Sequence, residues 1–389
     1  MNPDPITSPL WSPGIRGLKA YVPGEQPQAD GWLKLNTNEC PYPPSLRALQ
    51  ALRDAVTEKL RLYPDPNGSA LKGAIAKHFK LSPAHVFLGN GSDEVLGHTF
   101  LALLKHDKPI LFPDISYGFY PVYCGLYGIA HTPVPLNARF EVDVADYRVP
   151  NGGVILPNPN APTGVALALS DVRDLLQHNR ESVVVIDEAY VDFGAQSAVA
   201  LIPEFDNLLV VQTFSKSRAL AGLRAGFALG HPALIAALAT VKDSFNSYPL
   251  DSLALAGAQA ALEDNAYLEK ITHAVAQSRD WLTSELGKLG FETLPSHANF
   301  VFTHHPRRPA ALLAAQLRER RILVRHFAKP RIDGYLRISI GTQPECETLV
   351  QTLQEILSAA PSAEPSPQPS PQRSLQPSPQ PSLKAGAPT

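Results

Sequence analysis

Cysteine is scarce: Cys40, Cys124 and Cys346 are the only three in 389 residues, and they lie too far apart for a CxxC metal knuckle or a disulfide framework. They read as reduced thiols, which sets the expectation of a cytoplasmic protein. Neither sign of charge is in excess, with 34 Lys and Arg against 36 Asp and Glu. A net charge of -2 provides no global field to hold the chain on nucleic acid or an anionic membrane, so the expected partners are small molecules. No apolar run approaches the length that spans a bilayer. Residues 1–15 carry Pro3, Pro5, Pro9 and Pro13 where a secretion signal would need a basic and then an apolar stretch.

Several reactive signatures are also missing. The 12 histidines form no HExxH pair and no cluster with cysteine, so no metal is expected. There is no GxSxG elbow for a hydrolytic serine. GxGxxG and GxxxxGK loops, which would cradle a dinucleotide or a nucleoside triphosphate, are absent as well.

What remains is an ordinary globular composition, 44% apolar, in a chain long enough for one large domain and one smaller one. Short β-branched runs alternate with helical patterns, which predicts an α/β fold with a mainly parallel central sheet and helices on both faces. Strands are expected at 86–88, 110–112, 154–156, 183–186, 208–212 and 226–229. Several are continuous apolar runs, as strands covered on both faces require. Ser45 is placed to cap a helix with Leu46, Leu49, Leu52, Val56 and Leu60 along one face. Longer helical patterns follow at 253–262 and 267–289, then strands at 300–303 and 336–340. The expected division is an N-terminal arm at 1–35, a large domain at 36–255, a smaller C-terminal α+β domain at 256–358 and a disordered Pro/Ser/Gln-rich tail at 359–389.

Four segments carry chemistry: GNGSDE at 89–94, NPNAPTG at 158–164, DEAY at 187–190 and SKSRALAGLR at 215–224. Lys216 follows an apolar strand and precedes a small-residue loop, a setting in which burial can lower the pKa of an amine and make it nucleophilic. Taken alone it reads sooner as a surface lysine after a strand. Asp187 ends the 183–186 run, where parallel strands present ligand-binding groups, or it caps a following helix. Gly91, Ser92 and Asp93 open a helix whose free amides suit a phosphate, and Arg224 adds a guanidinium for bidentate contact beside the Ser215 hydroxyl. Tyr190 and Tyr117 could be interior aromatics with satisfied hydroxyls.

In this order and at these separations, the four segments resemble the fold-type I aminotransferases that use pyridoxal 5'-phosphate, most closely the histidinol-phosphate branch. The likeness runs from about residue 18 to residue 357 and includes LKAYVPG at 18–24, LNTNE at 35–39, YPD at 63–65, YGFY at 117–120, ANF at 298–300 and LRISIG at 336–341. The resemblance implies that Lys216 condenses with the cofactor aldehyde and shuttles the substrate's proton. It further implies that Asp187 holds the pyridine nitrogen, Tyr190 the phenolic oxygen and Tyr117 the ring face, while Gly91, Ser92, Asp93, Ser215 and Arg224 take the phosphate. Relatives place an asparagine directly before Pro-Thr-Gly. Here Ala161 stands there, and the contact is assigned to Asn160. Tyr21, Asn38, Arg325 and Arg337 are implied for the substrate, with Arg325 and its neighbour Arg331 equally readable as solvated charge. Tyr63 is implied to reach the cofactor phosphate of a neighbouring subunit, which makes the expected assembly a homodimer with shared active sites.

The expected reaction is reversible amino transfer between histidinol phosphate and 2-oxoglutarate, in histidine biosynthesis. An aromatic amino-acid aminotransferase, a threonine-phosphate decarboxylase and a cofactor-binding sensor without turnover are the alternatives. The last would need a DNA-binding module, and the stretch before residue 18 is too short and proline-rich to supply one.

Overall fold

A computed structural model describes residues 8–359; the Pro/Ser/Gln-rich tail from 360 onward and residues 1–7 lie outside the described residues. The first half runs β1 (Leu33–Leu35), α1 (Leu46–Ala55), α2 (Ser69–His78), β2 (Val86–Asn90), α3 (Gly91–Leu103), β3 (Ile110–Pro113), α4 (Tyr120–Tyr127), β4 (His131–Val134), β5 (Val154–Pro157) and α5 (Leu169–His178). It continues through β6 (Val184–Asp187), β7 (Leu208–Thr213), β8 (Ala225–Gly230), α6 (Pro232–Asp243) and α7 (Ser252–Leu262). The remainder is α8 (Asn265–Lys288), β9 (Glu292–Thr293), β10 (Phe300–His304), α9 (Ala310–Glu319), β11 (Ile322–His326), β12 (Tyr335–Ser339) and α10 (Gln343–Ser358).

Seven strands form the large sheet in the order β2-β8-β7-β6-β5-β3-β4. The run from β7 to β4 is parallel, and β8 turns antiparallel against both β7 and β2. Because side chains alternate across a strand, β5, β6 and β7 feed two separate cores. Val154, Leu156, Val184, Ile186, Leu208 and Val210 pack on one face, and Ile155, Val185, Leu209 and Val211 on the other. Double coverage explains why these segments read as unbroken apolar runs. A second sheet, ordered β1-β11-β12-β10-β9, packs against α8, α9 and α10.

β1 pairs parallel with β11 and belongs to the smaller sheet, while α7 buries Ala254, Ala258, Ala261 and Leu262 in the core of the larger one. The helix begun at Ser45 stops at Ala55 and gives way to a 3-10 turn at Glu58–Arg61. Along its apolar stripe Leu46, Val56 and Leu60 stand exposed, while Leu49 and Leu52 are partly buried and Leu52 lies against Gly257 of α7. No helix among the described residues is long and apolar enough to cross a membrane.

Candidate active site

The carboxyl ends of the parallel strands open into a cavity of about 770 Å³ between the two sheets, lined from both bodies and by the N-terminal arm. Such a crevice is where an open α/β sheet binds ligands. Lys216 follows β7, and its Nζ donates to the Thr37 carbonyl at 3.2 Å. Burial and the nearby Arg337 guanidinium lower its pKa to about 8, against the opposing pull of Glu39 and Asp93. A substantial neutral fraction near physiological pH is what a nucleophilic amine and proton carrier needs.

Asp187 ends β6 and is buried. Its Oδ2 accepts from the Tyr120 hydroxyl at 2.9 Å, while Oδ1 is buried without a partner. Desolvation raises this carboxyl to about 6, opposed by the Tyr120 hydrogen bond. An orphaned acceptor oxygen of this kind calls for a cationic N–H donor inside the cavity. The Ala189 amide lies near the carboxylate and helps keep it ionised, short of hydrogen-bond geometry.

At another part of the wall stand Ser92 and Asp93 from the start of α3, with Ser215 and Arg224. Asn90 provides no side-chain cap, so the opening amides of α3 have no side-chain partner there. Gly91 has a φ of +76°, and a Cβ on it would meet Arg224 Nη2 at 2.5 Å. Gly226 is equally constrained: its Cβ would fall 2.4 Å from the Ser92 amide nitrogen. The two glycines let the guanidinium and the helix terminus converge, a cradle suited to a phosphate. Within it, Arg224 donates to Asp93 Oδ2 at 3.1 Å and to Ser215 Oγ at 3.4 Å, and the Tyr117 hydroxyl donates to Asp93 Oδ1 at 2.8 Å.

The smaller sheet contributes the opposite wall. Arg325 on β11 and Arg337 on β12 are paired in register and both line the cavity. Arg337 donates to the Asn36 carbonyl at 3.0 Å and lies 5.4 Å from the ring centres of Phe300 and Phe327, while its Nε has no partner. Asn38, at φ 56°, is held by the Ser339 hydroxyl and by Asn299, and its amide donates to the Tyr190 hydroxyl at 3.0 Å. Tyr21 from the arm packs its ring 4.7 Å from Phe119 and 6.3 Å from Tyr117.

Most of the residues singled out from sequence thus meet around one cavity, with Gly91 backing the wall behind Arg224. Asn160 stands apart from this group, with its Oδ1 buried and unpartnered. Its amide nitrogen donates to the Ile115 carbonyl and the Thr163 hydroxyl, so it tightens its own loop and does not line the cavity. Ala161, which has no hydrogen-bonding group in its side chain, lines the cavity instead. Tyr63 is 82% exposed, stacked on Tyr248 at 4.7 Å and outside its own chain's cavity. Arg331 is not free charge: it pairs with Asp114 at 2.7 Å and donates to the Leu136 carbonyl. Sequence reasoning assigned no role to Tyr120 or to the Thr37 and Asn36 carbonyls. The YGFY motif contained Tyr120, but only its spatial pairing with Asp187 reveals what it contacts.

The aminotransferase class I and II family matches residues 30–353. Histidinol-phosphate aminotransferase 1 of Methylococcus capsulatus is 59% identical over 346 residues, which cover 89% of this chain and 97% of that protein. The like-named enzyme of Bradyrhizobium diazoefficiens is 61% identical over 347 residues, covering 89% and 99%. Among solved structures, the histidinol-phosphate aminotransferase of Sinorhizobium meliloti in complex with pyridoxal-5'-phosphate superposes with a TM-score of 0.81 at 26% identity, covering 90% of this chain and 98% of that one.

Proposed function

This chain belongs to the class I and II aminotransferases, and from that membership we propose that it transfers the amino group of histidinol phosphate to 2-oxoglutarate, giving imidazole acetol phosphate and glutamate. The observation that carries the choice of substrate is the pair of guanidinium groups, Arg325 and Arg337, set side by side on β11 and β12 at the cavity. A second phosphate, on the substrate, suits such a pair, since planar guanidinium donors match phosphate oxygens better than lysine does.

The cofactor that fits the remaining walls is pyridoxal 5'-phosphate. Arg224, Ser215 and the opening amides of α3 would hold its phosphate, Asp187 Oδ1 its ring nitrogen and Tyr190 its phenolic oxygen, with the Tyr117 ring against its face. When bound, it supplies an aldehyde for exchange of amines and a ring that accepts the electron pair left on the substrate carbon. The chain's own part is positioning and proton transfer. Lys216 Nζ, neutral in a large fraction near pH 8, takes the proton from the substrate carbon that bears the amine and returns it on the other side of the exchange. Asp187, once given a cationic N–H partner, stays ionised and holds that partner protonated. Arg337 and Arg325 fix the substrate's far end so that this carbon lies near Lys216, and Tyr21 helps exclude water. Amino transfer in two half-reactions should give ping-pong kinetics.

Purified protein loaded with cofactor should form glutamate from histidinol phosphate and 2-oxoglutarate; failure to do so would overturn the proposal. Arg337→Gln should cut kcat/KM for histidinol phosphate by about 10²-fold, from lost charge-assisted contacts, and leave the covalent hold on the cofactor unchanged. Histidinol without its phosphate, already deprived of that contact, should be much less sensitive to the substitution.

A homodimer belongs to the same proposal. Val56, Leu60, Leu62, Tyr63 and Phe245 are large apolar side chains left exposed, and a second copy of the chain is the occupant that would cover them. Tyr63 would then reach the partner's phosphate cradle. Tyr63→Phe should weaken cofactor affinity by roughly tenfold, the worth of one hydrogen bond to a charged group, without preventing reaction at Lys216. Equilibrium dialysis of the cofactor measures this. Three cysteines that form no disulfide support a cytoplasmic location.

A further inference from the structure

Tyr120 is fully buried at the start of α4, and nothing in the proton transfer above requires it. Its ring is packed on three sides: Phe100 of α3 at 6.0 Å, Phe112 of β3 at 5.9 Å and Tyr117 at 5.7 Å in an edge-on arrangement. A phenol held this way has little freedom to swing. Its hydroxyl is aimed at a single atom, Asp187 Oδ2, at 2.9 Å. The carboxylate is therefore divided, with one oxygen engaged from behind and the other, Oδ1, unpartnered on a residue that lines the cavity.

We propose that Tyr120 is a positioning residue for amino transfer: by donating to Oδ2 it fixes the rotation of the Asp187 carboxylate so that Oδ1 serves the cofactor's ring nitrogen, and it keeps that carboxylate ionised. The inference rests on the reading of Asp187 given above. Tyr120 suits the task because burial and the carboxylate beside it hold its own hydroxyl protonated far above working pH, so it remains a donor throughout. A buried carboxylate left without such a donor would retain its proton, and a protonated Asp187 could not hold a ring nitrogen in its cationic form.

The groups that face this carboxylate come from several elements. Asp93 on α3 opposes its ionisation, while the Tyr120 hydroxyl and the Ala189 amide favour it. Tyr123 and Tyr190 also lie within electrostatic reach of Asp187, and Tyr117 packs on Tyr120; burial holds all three protonated. Tyr120 is thus the one side chain among them that hydrogen-bonds the Asp187 carboxylate.

Tyr120→Phe keeps the ring and removes only the donor. In full-length protein stripped of cofactor, carbon NMR of the Asp187 carboxyl should show its titration midpoint moving upward by about 1 pH unit or more, the effect of losing one hydrogen bond to a charge. In the loaded enzyme, kcat should fall roughly tenfold with little change in KM. A midpoint and kcat equal to those of the unsubstituted protein would overturn the proposal, as would lowered thermal stability with an unmoved midpoint. Asp187→Asn separates the two layers of argument. If it abolishes amino transfer while Tyr120→Phe changes neither readout, only the role of Tyr120 fails; if Asp187→Asn remains fully active, the reading of Asp187 fails with it.

Discussion

Lys216→Ala protein is expected to take up pyridoxal 5'-phosphate, resist covalent attachment to it, and lose amino transfer by about 10⁴-fold, the upper range for removal of a positioned acid and base. The basis is a division of labour visible in the cavity. The phosphate cradle of Arg224, Ser215 and the α3 amides does not depend on Lys216, so binding should persist. The cationic groups that act on the amine are Arg337 and Arg224, and a guanidinium is a poor proton acceptor. Borohydride reduction followed by peptide mass spectrometry should label Lys216 in the unsubstituted protein and nothing in the variant. The yield of labelling in the unsubstituted protein should rise with pH through a midpoint near 8, since only the neutral amine attacks the aldehyde. Substantial activity in Lys216→Ala would remove the foundation of the mechanism.

The second large effect concerns Asp187, and it has opposite signs for activity and stability. Burial raises the carboxyl to about 6, so the folded chain without cofactor binds this proton more tightly than the unfolded chain does. The stability it contributes is fully present below about pH 4 and is lost as pH rises through about 6. Above that point a charge is buried without its partner, at a cost of roughly 3 kcal/mol for a displacement of about 2 pH units. Asp187→Asn removes the charge and keeps the shape. The cofactor-free variant should therefore be more stable than the parent at pH 7.5, by up to roughly 3 kcal/mol, and the advantage should vanish below pH 4. Glu188, raised to about 7 by the same burial, imposes a similar slope on both proteins and cancels in the comparison. Amino transfer in the variant should fall by about 10²–10³-fold, as for loss of a preorganised charge from an active site. Denaturant unfolding at several pH values, paired with kinetics, measures both signs at once.

Lys216 and Asp187 were legible in the sequence for one physical reason. Asp187 ends one strand and Lys216 lies three residues past the end of the next, both strands being unbroken apolar runs that mark them as doubly covered, and the ends of such strands meet at one edge of the sheet. Arg224 and Gly91 meet at the same strand edge, because β8 returns antiparallel beside β2 and brings its start, with Gly226, against α3. What sequence left hidden depends on directions that a linear motif does not encode. Tyr120 reaches Asp187 across 67 residues, and its spacing within YGFY says nothing of that partner. Asn160 sits one position from the expected contact, yet its loop turns the amide toward Ile115 and Thr163. The stripe from Leu46 to Leu60 has helical spacing, but a helical period marks an apolar face without saying which molecule covers it. β1 is only three residues long, and its place beside β11 comes from pairing with a segment nearly three hundred residues away.

The central claim is that this cavity selects a phosphorylated imidazole substrate for amino transfer. The most direct test compares kcat/KM for imidazole acetol phosphate and phenylpyruvate as amino acceptors, with glutamate as donor, on protein loaded with pyridoxal 5'-phosphate. A guanidinium pair that engages the substrate phosphate predicts a preference of at least about 10²-fold for imidazole acetol phosphate. Equal use of the two acceptors, or a preference for phenylpyruvate, would contradict it.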